Sequence, residues 1–332
     1  MELKGLSVLV TGGAGFIGSH LVDKLIAEGC RVNVIDNLAN GKEINLSRHS
    51  KNPAFRLYKG DINDHAALDA AAKGVDIVFH LACLGVRHSI KHPLENHKVN
   101  AEGTLNVLER SRRSGIKRFV YCSSSEVYGT AETVPMKETH RTYPCTVYGA
   151  SKLAGESYTR AYFTTYAMET VVIRPFNTFG PRSHHEGDAG ELIPKSIVRA
   201  LNGKPILVFG DGRQTRDFTY VEDTASGIAA LATRDDAVGQ TFNMGSDFEI
   251  SIKEVCEMIA GLIASAAGIE YVKDRPGDVL RLYADSAKFR LLTGWRPSVP
   301  FRAGLIKTIE WFKSYPSGVS ALLAQESGVN WE

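Results

Sequence analysis

Along the first half of the chain, short runs of β-branched and apolar residues alternate with segments whose apolar positions recur at helical spacing. The runs LSVLVTG, RVNVID, FRLYKGD, VDIVFHLA, RFVYCSS and TVVIRPFN predict strands, each separated from the next by a helix-length stretch. The first such stretch, FIGSHLVDKLIAEG, carries Ile17, Leu21, Leu25 and Ile26 on its apolar side and meets Gly29 as a C-terminal stop. Strand and helix in alternation predict an α/β fold, a Rossmann-type doubly wound parallel sheet covered on both faces.

The alternation breaks after Asn177. The stretch TFGPRSHHEGDAGELIP is rich in Gly, Pro, His and charge and predicts a loop of the functional kind. Shorter elements follow: a helix IPKSIVRALNG, a strand ILVF, a helix SIKEVCEMIAGLIAS and a closing helix around GLIKTIEWFKSY. The expected organisation is a dinucleotide-binding domain over 1–177 and a smaller α/β substrate-binding domain over 178–332, with part of 215–245 returning to the first. Neither an internal repeat nor a low-complexity linker is present, which predicts tight packing of the two regions.

Composition then excludes several classes. A chain of 332 residues with 43% hydrophobic residues can bury a large core, and a net charge of +2 without a long basic run argues against a nucleic-acid partner. No segment approaches the ~20 apolar residues of a membrane span, and MELKGLSVLVTGG lacks the features of a signal peptide. The five cysteines, at 30, 83, 122, 145 and 256, form no C-x-x-C pair and read as reduced thiols, so the expected location is the cytoplasm.

Chemistry enters with TGGAGFIG, which places Gly12, Gly15 and Gly18 between the first strand and the first helix. Such a turn lets bare backbone approach a pyrophosphate while helix N-terminal N–H groups face its oxygens. Asp36, 18 residues past Gly18 at the end of strand two, would accept hydrogen bonds from both ribose hydroxyls and repel a 2′-phosphate, favouring NAD over NADP. Asp61 ends strand three, where it could bond the adenine amine or merely cap a turn. YGASK sets Tyr148 and Lys152 four residues apart on one helix face, so the ammonium can favour the phenolate and make it a usable base. SHHEGD groups His184, His185, Glu186 and Asp188, but adjacent histidines lack the i, i+4 spacing of a helical zinc site; a metal-free, mobile loop covering the substrate is expected.

TGGAGFIG, Asp36, Ser124, YGASK and RPFNTFG, in this order, resemble the extended short-chain dehydrogenase/reductase family of NAD-dependent nucleotide-sugar epimerases and dehydratases. The resemblance continues through FGDGRQTRDFTYVED and RPGDV to LLTGWRP. It implies that Ser124 binds the sugar O4, that Tyr148 is the base, and that Lys152 anchors the nicotinamide ribose. It adds Phe16, Ile17, Asn37, Ile62, Leu81 and Ala82 to the cofactor contacts, with Asn100 supporting the active-site backbone. Asn177 and Arg216 would meet the substrate diphosphate, and Arg275 and Asp278 would lie near the nucleotide. The resemblance further implies a homodimer paired through the helices that begin near Asn100 and Tyr148; aromatics at 158, 162, 163 and 166 of the second helix exceed one core face.

Glu126 decides between reactions. All of them pass through a 4-keto sugar, and a 4,6-dehydratase then needs a carboxylate to remove the C5 proton as water leaves from C6. Glu126, two residues after Ser124, suits that task, and nucleotide-hexose 4,6-dehydration is the first expectation. Dehydratases of the dTDP-glucose type carry an Asp before the Glu, where this chain has Ser125. The alternative is a 4-epimerase of the UDP-glucose or UDP-glucuronate type, in which Glu126 would be a structural carboxylate bonding backbone N–H groups. UDP-glucuronate decarboxylation comes third. A catalytically silent NAD-binding sensor is the reading from another class, though Ser124, Tyr148 and Lys152 are all in place.

Overall fold

The computed structural model describes residues 2–331. Its strands are β1 (Ser7–Thr11), β2 (Arg31–Asp36), β3 (Phe55–Lys59), β4 (Ile77–His80), β5 (Arg118–Cys122), β6 (Glu169–Pro175), β7 (Asn177–Phe179), β8 (Ile206–Phe209), β9 (Thr215–Tyr220), β10 (Thr241–Met244), β11 (Glu249–Ser251), β12 (Ile269–Val272) and β13 (Arg281–Leu282). Seven of them form one sheet in the order β3-β2-β1-β4-β5-β6-β10, parallel throughout. The first six keep the doubly wound order of dinucleotide-binding sheets, whose ligand crevice lies at the carboxyl ends of the strands beside β1 and β4.

Burial on both faces explains why these strands are runs of Val, Ile, Leu and Phe. Along β1, Val8 and Val10 point into one core with Leu21, Leu25 and Phe79, while Leu9 joins Ile35, Val78 and Phe119 in the other. The helix Phe16–Ala27 covers the first face together with the helix Val221–Leu231. It ends where expected, with Gly29 at φ +82°, a conformation that favours glycine.

A second core gathers Ile193, Ile197, Val208, Val255, Ile259, Leu305 and Phe312 beneath a small sheet in which β9 pairs with β7, β11 and β13. Thr241–Met244 pairs with β6 in the main sheet, so the chain crosses back partway through building this second part. No helix of the described residues is long and apolar enough to cross a membrane.

Candidate functional site

One cavity of about 450 Å³ extends from the glycine turn to Arg275 and Phe209. It opens at the carboxyl ends of the central strands, where the first half of the chain meets the second.

At its first end, Gly12 adopts φ +70°, and a β-carbon there would lie 2.7 Å from Ala82 Cα. A β-carbon on Gly18 would collide with the Gly12 carbonyl oxygen, so the helix can lie against the turn only with glycine at both places. The helix that begins at Phe16 has no side-chain cap and no acidic residue in its first turn, leaving its N–H groups open to an anion. Asp36 is fixed by the backbone: Ala14 N donates to Oδ2 at 2.9 Å and Leu38 N to Oδ1 at 2.8 Å. Burial raises the Asp36 carboxyl, and these two N–H groups oppose the rise. Asn37 Nδ2 donates to Asp61 Oδ2 at 2.8 Å, tying the ends of β2 and β3 together.

Phe16, Ile17, Asn37, Asp61, Ile62, Leu81 and Ala82 line this part of the cavity with Gly12, Gly15, Gly18 and Asp36. Asn100 does not. It is buried in a π-helical turn, where Oδ1 accepts from Leu84 N at 2.8 Å and Nδ2 donates to Leu84 O at 2.9 Å. Both ends of its amide are spent on the loop after β4, so Asn100 shapes the wall without forming it.

The centre of the cavity is built where β5 ends. Ser124 is extended, and its Oγ accepts from Glu126 N at 3.2 Å, starting a tight turn. The helix Val147–Tyr166 approaches this turn, capped by Thr146, whose Oγ1 accepts from Gly149 N at 3.2 Å. A β-carbon on Gly149 would sit 2.5 Å from the Glu126 carbonyl oxygen, and one on Gly155 would collide with the Tyr121 hydroxyl. Two glycines thus let the helix lie close enough to bring Tyr148 and Ser124 to the same stretch of cavity wall. Lys152, one turn on, is 3% exposed and donates from Nζ to Cys122 O at 2.8 Å. Burial and the Cys83 thiol push the Tyr148 phenol up, while Lys152 and Ser124 pull it down.

Below this corner lies a network that sequence reasoning missed. Ser123 Oγ donates to Glu156 Oε1 at 2.6 Å, and Arg174 forks onto both Glu156 oxygens at 2.7 and 2.6 Å. Arg174 also donates to Tyr128 Oη at 2.6 Å, which in turn donates to Asn243 Oδ1 at 2.7 Å. The chain of contacts binds β5, β6, β10 and the Tyr148 helix into one block. A charged residue inside an otherwise apolar strand, TVVIRPFN, was the available signal.

Glu126 faces the cavity. Among the described residues no hydrogen bond or ion pair reaches its carboxylate; only its backbone N–H is engaged, by Ser124. The structural-cap reading required backbone donors to that carboxylate, and none is there. Burial raises its pKa against the pull of Arg216 and Arg275.

At the far end, Arg216 Nη2 donates to Asp278 Oδ1 at 2.7 Å and Arg275 shares the same oxygen. Arg275 Nε and Asn177 Oδ1 are buried without partners among the described residues, and both residues line the cavity. Two guanidiniums around one carboxylate leave donors for an anionic ligand. Arg87, Lys195 and Arg199 add positive charge nearby, and none was foreseen. The last two stand four residues apart on the apolar helix Leu192–Leu201, a spacing legible in IPKSIVRAL. Burial brings Lys195 down to about 8, against the opposing charge of Glu326.

The SHHEGD loop is pinned rather than free, through Glu186 and through the chain's last residues. No group of three or more His, Cys, Asp or Glu side chains suited to a metal ion occurs among the described residues. The glycine cradle, the open helix N-terminus and the backbone-fixed Asp36 fit a dinucleotide, with Asp36 available to the ribose hydroxyls.

Comparison with known proteins agrees with this geometry. The family model described as the NAD dependent epimerase/dehydratase family matches residues 8–245. The chain is 35% identical over 312 residues to a UDP-glucose 4-epimerase of Mycolicibacterium smegmatis, covering 93% of this chain and 99% of that protein. It is 36% identical over 312 residues to UDP-glucuronic acid decarboxylase 1 of Xenopus tropicalis, covering 92% and 72% respectively. A dTDP-glucose 4,6-dehydratase from Streptomyces venezuelae, solved with NAD bound, superposes with a TM-score of 0.90 at 31% identity, over 94% of this chain and 98% of that one. A dinucleotide cradle, a Ser-Tyr-Lys corner and an arginine-lined far end in one cavity, matched along nearly the whole chain, make this protein an enzyme of the NAD-dependent epimerase/dehydratase family acting on nucleotide sugars.

Proposed function

We propose that the enzyme is a UDP-sugar 4-epimerase, the alternative rather than the first expectation from sequence. NAD, when bound, supplies the reversible hydride acceptor for the sugar C4. The residues do the rest. Tyr148 Oη takes the proton of the C4 hydroxyl, Ser124 Oγ holds O4, and the Lys152 ammonium stabilises the phenolate. Asn177, Arg216 and Arg275 grip the diphosphate, so the 4-keto hexose can turn over while its nucleotide stays put. Tyr148 then returns the proton to O4 of the inverted sugar.

The observation that carries this reading is the side chain at 125. Dehydration must protonate the C6 hydroxyl as it leaves, and position 125, beside Glu126, offers a buried serine. C4 oxidation needs only Ser124, Tyr148 and Lys152. The kinship with a UDP-glucose 4-epimerase over 93% of the chain points the same way. A second reading, 4,6-dehydration, is favoured by the unpartnered Glu126 carboxylate, which could remove a C5 proton. Incubating the purified enzyme with UDP-glucose and UDP-N-acetylglucosamine tests the choice. Epimerisation gives the C4 epimer at unchanged mass; a product lighter by one water establishes dehydration instead.

On this reading residues 1–177, with much of 221–245, form the cofactor lobe and the remainder holds the nucleotide sugar, in a cytoplasmic enzyme. A second copy would cover the exposed Leu105, Phe163 and Tyr166, although Tyr162 turns inward to donate to Glu109 at 3.0 Å. A monomer by light scattering at micromolar concentration would refute that pairing.

A further inference from the structure

The Pro181–Glu186 segment has no task in the chemistry above. It leaves β7 and runs across the cofactor half of the molecule, where three contacts hold it. His20 Nε2 lies 3.0 Å from Pro181 O, on the helix that follows the glycine turn. Along the same helix, Asp23 Oδ2 accepts from Arg182 Nη2 at 2.8 Å. Finally, Lys42 Nζ pairs with Glu186 Oε1 at 2.9 Å.

Lys42 closes the loop around Asp36. Its N–H donates to Ala14 O at 3.0 Å, while Ala14 N donates to Asp36 itself. Glu186 gathers more than this one cation: it accepts from His184 Nδ1 at 3.2 Å and from His185 N and Nδ1 at 2.9 and 3.0 Å. These bonds keep His184 in the cavity wall, within electrostatic reach of Asp36. The other end of the loop is fastened as well. Gly187 N donates to Gln325 O at 3.1 Å, and Asn330 Nδ2 donates to Gly187 O at 3.1 Å and to Gly190 O at 3.0 Å.

We propose that Pro181–Glu186 is a strap that retains NAD, with Glu186 fastening it to the ribose loop through Lys42 and presenting His184 at the ribose end of the site. An enzyme whose cofactor takes up hydride and gives it back within one turnover loses its 4-keto sugar if the cofactor exchanges midway. A strap across the adenosine end suppresses that exchange, since release must first break the contacts to His20, Asp23 and Lys42. The role rests on the NAD requirement of the family and is the same whichever reaction follows C4 oxidation.

The test follows cofactor release without turnover. Holoenzyme loaded with radiolabelled NAD is chased with excess unlabelled NAD, and the label retained is read over time. Glu186→Gln and Lys42→Met should each speed release by roughly 10- to 100-fold, the worth of one charge-assisted hydrogen bond, and the double variant should add little to either. UDP affinity, measured by calorimetry, should not change. Release from Glu186→Gln at the wild-type rate overturns the strap, as does a loss of UDP affinity in step with NAD. Fully additive effects in the double variant would also overturn it, because Lys42 would then hold the cofactor on its own. Should Glu186→Gln fail to fold, Lys42→Met reads the same contact from the opposite side, and wild-type release in that variant is equally contradictory.

Discussion

Lys152 Nζ donates to the carbonyl oxygen of Cys122 at 2.8 Å, so the buried ammonium is held by the last residue of β5 directly beneath Tyr148. The bond fixes a positive charge where the phenolate must form, and that charge opposes the upward push of burial on the phenol. Removing it in Lys152→Met leaves Ser124 alone to oppose burial. The Tyr148 pKa then rises further, and the limb of the pH–rate profile that ascends with base deprotonation should move to higher pH, with turnover at pH 7 down by about 10²-fold or more. An unshifted limb with merely reduced amplitude would show that Lys152 does not tune the base.

The Glu156–Arg174 fork predicts a stability effect separate from chemistry. Glu156 is 0% exposed; burial alone would raise its carboxyl, but bonds from Arg174, Ser123 and Arg160 hold it below the ordinary value. Glu156→Gln leaves a buried guanidinium without its counter-ion and should cost about 3–5 kcal/mol in urea denaturation at pH 7. Because the folded pKa is depressed, the contribution is present above the ordinary carboxylate pKa of about 4.3 and is lost as pH falls through the folded value. The gap between the two proteins should therefore hold above about pH 4.3 and narrow only as pH falls below it, and a gap that does not narrow in acid would contradict the assignment.

Much of this was legible in the chain. The glycine turn, Asp36, the six predicted strands and the Tyr148–Lys152 spacing follow from local rules: period, turn chemistry and i, i+4 geometry. What local rules cannot supply is contact between distant segments. Glu156 meets Ser123 and Arg174 only after three elements converge, and Arg87 joins the cavity only because the short helix Val86–Lys91 carries it there. The SHHEGD loop looked mobile by composition, yet Lys42, Gln325 and Asn330, all remote in sequence, hold it. Glu126 shows a different limit. Its place two residues after Ser124 was readable, whereas the absence of any bond to its carboxylate among the described residues belongs to the fold.

Glu126→Gln separates a useful carboxylate from an essential one. For an epimerase, inversion at C4 should survive with a loss of no more than about tenfold, because no proton leaves C5. For a dehydratase, water loss and C5 exchange should collapse by ~10² to 10⁴, the range of a positioned general base, while a 4-keto sugar accumulates. Kinetics of C4 inversion and of C5 exchange in heavy water, followed by NMR, distinguish the two.

The most direct test of the central claim follows one hydrogen. UDP-glucose carrying deuterium at C4, incubated with the enzyme in ordinary water, should give a C4 epimer of unchanged mass that still carries deuterium at C4, since the hydrogen taken from C4 returns to C4 from the opposite face. A product lighter by one water with the deuterium now at C6 would contradict the account and make the enzyme a 4,6-dehydratase.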